Sequence, residues 1–227
     1  MQQIDDKISH TPDAPTIPSP EETMALLQTR RSIRKYQPDP VSEELLEQVL
    51  EAGRWAPSAS HRQPWAFVVV CDPEVRRRIA EGAAYHFMRW DHVKEAPTLI
   101  VLCGDRSSPI YRRFLHEDIG LAGGQMMLQA HALGLGTCWI GGMAPKAIAR
   151  ILNVPNGWEV VGLLTLGFPA QNRRPPRRKP LADIVHYDAF GSYSSDASPK
   201  AGRSSGGIVQ TLLRQVQSRL RRRRQKR

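Results

Sequence analysis

Apolar and polar positions alternate along this chain with two different periods, and the periods divide it into elements. Met24, Ala25, Leu26 and Leu27 sit among polar residues between Glu21 and Gln28, which predicts a short amphipathic helix begun at Ser19-Pro20. Leu45, Leu46, Val49, Leu50 and Gly53 recur at helical spacing after Val41-Ser42-Glu43-Glu44, with Ser42 as candidate N-cap and acids in the first turn. Trp65 to Val70 is aromatic and β-branched and reads as a buried strand. Thr98 to Cys103 predicts a second strand and Trp158 to Leu166 a third long one. Leu135 to Gly142 predicts a short strand running into a glycine turn. Asp72-Pro73 opens a helix through Ile79, and Pro145 to Leu152 forms another. The longest helix spans 114–133. Its Leu115, Ile119, Ala122, Met126, Leu128 and Ala130 leave it nearly apolar all round, so it should be covered on several sides. Residues 82–96 crowd Tyr85, His86, Phe87, Met88 and Trp90 into a polar stretch, which leaves two readings open: a helix over a pocket, or plain packing.

Strands alternating with helices make the fold α/β or α+β. The 227 residues suit one domain with ends to spare. The expected layout is a flexible arm at 1–18, a folded domain at 19–190, a linker at 191–207 and a basic amphipathic tail at 208–227. No apolar run is long enough to cross a membrane, and the N-terminus has no apolar segment of the secretory kind. Cys71, Cys103 and Cys138 form no CxxC, so a disulfide framework and a zinc site are disfavoured and a reducing cytoplasm is the expected location. The net charge of +10 equals the ten Lys and Arg of residues 200–227, where no acid occurs, which leaves 1–199 formally neutral. The basicity therefore belongs to the tail and makes a poor argument for a nucleic-acid partner. In that tail Ile208, Val209, Leu212, Leu213, Val216 and Leu220 keep helical spacing among arginines. It is either a solubilising extension or a helix that binds an anionic membrane surface or an acidic protein.

Arg30-Arg31-Ser32-Ile33-Arg34 packs three guanidinium groups and a hydroxyl into five residues. In an extended segment Arg30, Ser32 and Arg34 point the same way, a surface suited to phosphate oxygens. A solvated basic turn is the competing reading. GxGxxG and GxxxxGK[ST] are both missing, which disfavours the common nucleotide loops.

Three separated motifs resemble the nitroreductase family of flavin enzymes: RRSIRKY at 30–36, APSASHRQPWAFVVV at 56–70 and ALGLGTCWIGG at 132–142, followed in order by LGFP and RRKPL. The likeness spans roughly 21–188. It implies an α+β fold with a central mixed β-sheet flanked by helices, and a homodimer with FMN at the subunit interface. Arg30, Arg31, Ser32 and Arg34 match the phosphate and ribityl ligands, and Arg178 a second phosphate-side arginine. Ser58 matches the loop that meets the isoalloxazine from the partner subunit. Trp139, Ile140 and Gly141 match the segment whose backbone N–H faces the flavin N5 atom. One departure stands out: His61 replaces the usual Asn at the flavin pyrimidine edge, and it either substitutes for the amide or packs without touching the ligand. Glu81, Tyr85 and Lys94 do not fit the lid pattern of dehalogenases in this family.

The resemblance implies an FMN-dependent oxidoreductase taking hydride from NAD(P)H and passing it, by a ping-pong cycle, to a nitroaromatic, a quinone or a similar acceptor. No side-chain nucleophile or acid is required, and Cys138 reads as a small strand residue. The alternatives are a flavin dehydrogenase or oxidase of a peptide or heterocycle, and a flavin-binding scaffold acting through its tail.

Overall fold

The computed structural model describes residues 16–82 and 90–191. The arm, the centre of the aromatic stretch at 83–89 and the tail from 192 onward lie outside the described residues. The chain divides into two compact units, Met1–Pro175 and Pro176–Arg227.

The first unit is built on four strands: β1 (Trp65–Val70), β2 (Thr98–Asp105), β3 (Gly136–Ile140) and β4 (Trp158–Gly167), in the order β1-β2-β4-β3. Every strand pair is antiparallel. The α+β class holds. The expected mixed sheet is antiparallel among the described strands: β2 and β3 run in the same sense, but β4 lies between them and pairs antiparallel with both. Parallel pairing survives as the isolated bridge Ser32–Thr137.

The central strands β2 and β4 are covered on both faces, so their sequences are almost continuously apolar. In β2, Leu99, Val101 and Cys103 face one core together with Ile79 of α3 (Pro73–Gly82), Val93 of α4 (Asp91–Glu95) and Ile148 of α6 (Pro145–Ile151). Ile100 and Leu102 face the other core with Val49 of α2 (Glu43–Arg54) and with Leu115, Ile119 and Met126 of α5 (Leu115–Ala132). The period of two thus feeds two hydrophobic layers from one strand.

Local chemistry sets the helix ends. Ser19 and Glu22 form a reciprocal capping box at the start of α1 (Pro20–Thr29), and the Ser42 hydroxyl accepts from the Leu45 N–H at the start of α2. The Asp72 carboxylate accepts from the Glu74 and Val75 N–H groups at the start of α3. One side of α5 is less covered than its composition suggests: Leu121 is 48% exposed, and nothing packs over Gly120. In the second unit, Leu181–Asp183 forms a single 3-10 turn.

Candidate cofactor site

The arginine segment leaves α1 and is pinned to β3. Ile33 is buried, its N–H donates to the Thr137 carbonyl at 2.8 Å, and a Cβ on Gly136 would lie 2.8 Å from its side chain. Glycine at 136 is what lets the two backbones approach so closely. The Tyr36 hydroxyl donates to the Ile33 carbonyl at 2.6 Å and shares a 2.5 Å bond with Thr165, whose hydroxyl accepts from the Cys138 N–H. Burial pushes the Tyr36 phenol well above its ordinary range, so it stays a donor.

This anchoring presents the arginines to two cavities that meet at β3. One, of about 320 Å³, is lined by Thr29, Arg30, Arg31, Thr137, His131 and Arg173 among others. Arg31 is partly occupied with structure: it donates to the carbonyls of Gln28, Arg30 and Arg173. The Arg173 guanidinium reaches the Ser32 carbonyl. The other cavity, of about 400 Å³, is lined by Arg34, Trp90, His92 and the run Cys138 to Gly142. Arg30 and Arg34 therefore line different cavities, where alternation alone placed them on one surface. The Cys138 thiol senses both: burial raises its pKa while Arg34, Arg173 and Arg30 pull it back. It remains a protonated, buried thiol, not a nucleophile.

Trp139 turns its indole away from the second cavity. The ring fills a slot where Gly123 of α5 and Gly162 of β4 lack side chains; a Cβ there would fall 2.3 Å and 2.4 Å from it. Gly141 and Gly142 contribute only backbone to the cavity wall beside it. A Cβ on Gly141 would meet only the Trp139 indole at 3.4 Å or beyond. A flat ring could approach these N–H groups closely.

Ser58 and His61 are not among the residues lining either cavity. They lie on a tight loop over 58–63 in which Ser60, His61 and Gln63 all have positive φ, at 51°, 56° and 51°. Left-handed non-glycine residues cost on the order of 1–3 kcal/mol each, so their clustering marks a loop held by its surroundings. The Ser58 hydroxyl accepts from the Gln63 N–H at 2.9 Å, and the His61 ring meets the Gln63 amide at 3.1 Å. Arg178 lies in the second unit, exposed and outside regular structure.

Trp90, His92 and Arg173 were missed by reading the sequence. Trp90 and His92 belong to the ambiguous aromatic stretch, and Arg173 lies outside the motifs that marked the site. Desolvation and the nearby Arg34 lower the His92 pKa, and desolvation with Arg30 and Arg31 lowers that of His131. Both imidazoles are thus biased toward the neutral form, able to donate or accept.

The donor set suits FMN. Arg30, Arg31 and Arg173 offer charge-assisted bonds to a phosphate, while Arg34, His92 and the 139–142 backbone offer polar contacts beside a flat surface. Comparison with known proteins agrees. The nitroreductase family model matches residues 27–87 and 81–168, and the chain belongs to the nitroreductase family. It is 36% identical over 156 residues to a putative NADH dehydrogenase/NAD(P)H nitroreductase of Methanothermobacter thermautotrophicus, covering 66% of this chain and 79% of that one. It is 33% identical to an NADH dehydrogenase of Thermus thermophilus, covering 69% and 91%. Among solved structures, an FMN-dependent nitroreductase of Clostridium difficile superposes with a TM-score of 0.66 at 30% identity, over 74% of this chain and 99% of that one.

Proposed function

We propose that this protein is an FMN-dependent NAD(P)H oxidoreductase that delivers hydride to a nitroaromatic, a quinone or a similar small acceptor. The observation that carries the reading is the pair of cavities meeting at β3, one ringed by arginines and the other walled by exposed backbone beside Arg34 and His92. FMN would supply the redox chemistry, accepting hydride from the nicotinamide and passing it on. The protein's part is to bind and orient. Arg30, Arg31 and Arg173 would neutralise the phosphate, with Ser32 as a further ligand. The backbone of Trp139, Ile140 and Gly141 would face the flavin N5 edge. Arg34 and His92 place positive or proton-donating groups where negative charge would accumulate, which lowers its cost in a partly desolvated site. Ser58 and His61 would reach the ring of a second copy's cofactor in a homodimer. Relatives named FMN reductase [NAD(P)H] from Bacillus subtilis and NADPH-flavin oxidoreductase from Vibrio harveyi support this reading.

The test is anaerobic. Purified full-length protein should be yellow, and its absorption near the flavin maximum should bleach on addition of NADH or NADPH and return with a quinone or a nitroaromatic. Protein that carries FMN but bleaches with neither nicotinamide overturns the reductase assignment in favour of an oxidase or a scaffold. Protein with no affinity for FMN overturns the cofactor.

A further inference from the structure

The first half of the strained 58–63 loop is tied to the body of the protein by a carboxylate. Asp118, in the first turn of α5, is 5% exposed, and its Oδ1 accepts from the Ala59 N–H at 2.9 Å across 59 residues of sequence. It is one of only four buried polar or charged residues among those described, the other three being threonines. A buried carboxylate is costly unless its oxygens are satisfied, so its position needs a purpose other than packing. The bond lands at the start of the 3-10 turn Ala59–His61, directly between Ser58 and the left-handed residues Ser60 and His61. The far end of the loop is held separately: Arg62 stacks over the Tyr111 ring at 4.5 Å, and the Pro64 carbonyl accepts from the Asp105 N–H at 2.8 Å. Asp118 is thus the anchor for the half of the loop that carries Ser58 and His61.

We propose that Asp118 is a positioning residue for cofactor binding: by fixing the Ala59 N–H it sets the left-handed backbone that aims the His61 ring and the Ser58 hydroxyl at flavin. This rests on the loop's flavin-facing role stated above. Without the anchor, the strained residues relax and both side chains lose their direction, although neither has been changed. Asparagine keeps an oxygen acceptor at the same reach, so Asp118→Asn preserves the geometry and Asp118→Ala does not.

The experiment measures FMN dissociation constants for full-length apoprotein by quenching of flavin fluorescence. Asp118→Ala should weaken FMN by roughly ten- to a hundredfold, and Asp118→Asn by about threefold or less. Ala59→Pro removes the same N–H from the other side and should match Asp118→Ala. It is compatible with the fold because Ser58, at ψ 157°, already has the extended backbone that precedes proline. His61→Ala should weaken FMN by itself, and the Asp118→Ala/His61→Ala double variant should be weaker than the poorer single variant by less than the two effects combined. Additive losses in the double variant, or Asp118→Ala and Ala59→Pro both within twofold of wild type, overturn the assignment. Wild-type protein that binds no FMN overturns the flavin reading itself, a distinct outcome.

Discussion

Arg30 and Arg34 are four positions apart in sequence, yet they line different cavities, and this separates their effects. Arg30→Ala should weaken FMN by about 1.5–3 kcal/mol while leaving riboflavin nearly untouched, since its proposed partner is the phosphate. Arg34→Ala should weaken FMN and riboflavin alike, since it lines the cavity proposed for the ring. Titrating both ligands into both variants decides the matter, and equal losses of riboflavin in the two would refute the division. His92 and His131 give a second expectation. Each has a folded pKa below the ordinary 6.5, chiefly through desolvation, with arginines adding to it. Arg34 lowers the His92 value further, whereas Glu95 and Asp91 oppose it. In the unfolded chain both rings take up protons as the pH falls through 6.5, while in the fold they resist. The unfolded state then binds more protons, so this part of the stability is complete above that pH and is lost as the pH falls through the folded values. Urea midpoints of the apoprotein should drop over that window, and His92→Gln should flatten the slope. The arginine segment was legible in the sequence as a candidate phosphate surface, beside the competing reading of a solvated basic turn. His92 was not, because its significance comes from Arg34, 58 residues away.

Trp139 shows how an element turns a side chain into a tool for the backbone beside it. Its indole lies between α5 and β4 only because Gly123 and Gly162 leave the slot open. Gly162→Ala would place a methyl group 2.4 Å from the ring, with β4 unable to retreat from its neighbours β2 and β3. The expected cost is about 1–3 kcal/mol of stability, typical of overpacking. It should bring a shift in tryptophan fluorescence and weaker FMN binding, because residues 139–141 move with the ring. Chemical denaturation and flavin titration check this; unchanged FMN affinity in a destabilised variant would show that the slot serves packing alone. The helix starts follow the same local logic and were legible in advance: Ser19, Ser42 and Asp72 each satisfy N–H groups that the first turn leaves open.

Helix α1 has no buried residue, and Met24 and Leu27 are about half exposed. Leu121 on α5 is similarly open, and Trp55 is 71% exposed. A protomer with two layers of helix over its sheet has no need of so much uncovered apolar surface, and a second copy would cover it. We therefore expect a stable homodimer, with an interface above about 2,000 Å² as in obligate pairs. Sedimentation should give a dimer mass at micromolar concentration with flavin bound. A monomer retaining full FMN occupancy would defeat both the dimer and the shared site. Among the described residues no helix is long and apolar enough to cross a membrane. The proposed attachment of residues 208–227 to an anionic surface lies outside the described residues.

By itself the sequence determined the element types, their approximate limits and the family, because these depend on periodicity, caps and motifs spaced a few residues apart. It also marked basic chemistry at 30–34 and, through the family motif, residues 139–141 as candidate flavin contacts. The tertiary structure decided which face each group serves. It sorted Arg30 and Arg34 into separate cavities, added Arg173 and His92, and turned the Trp139 ring into the core. It also hung the 58–63 loop on Asp118. These are contacts between residues tens of positions apart, set by strand order and helix packing, and no local pattern encodes them.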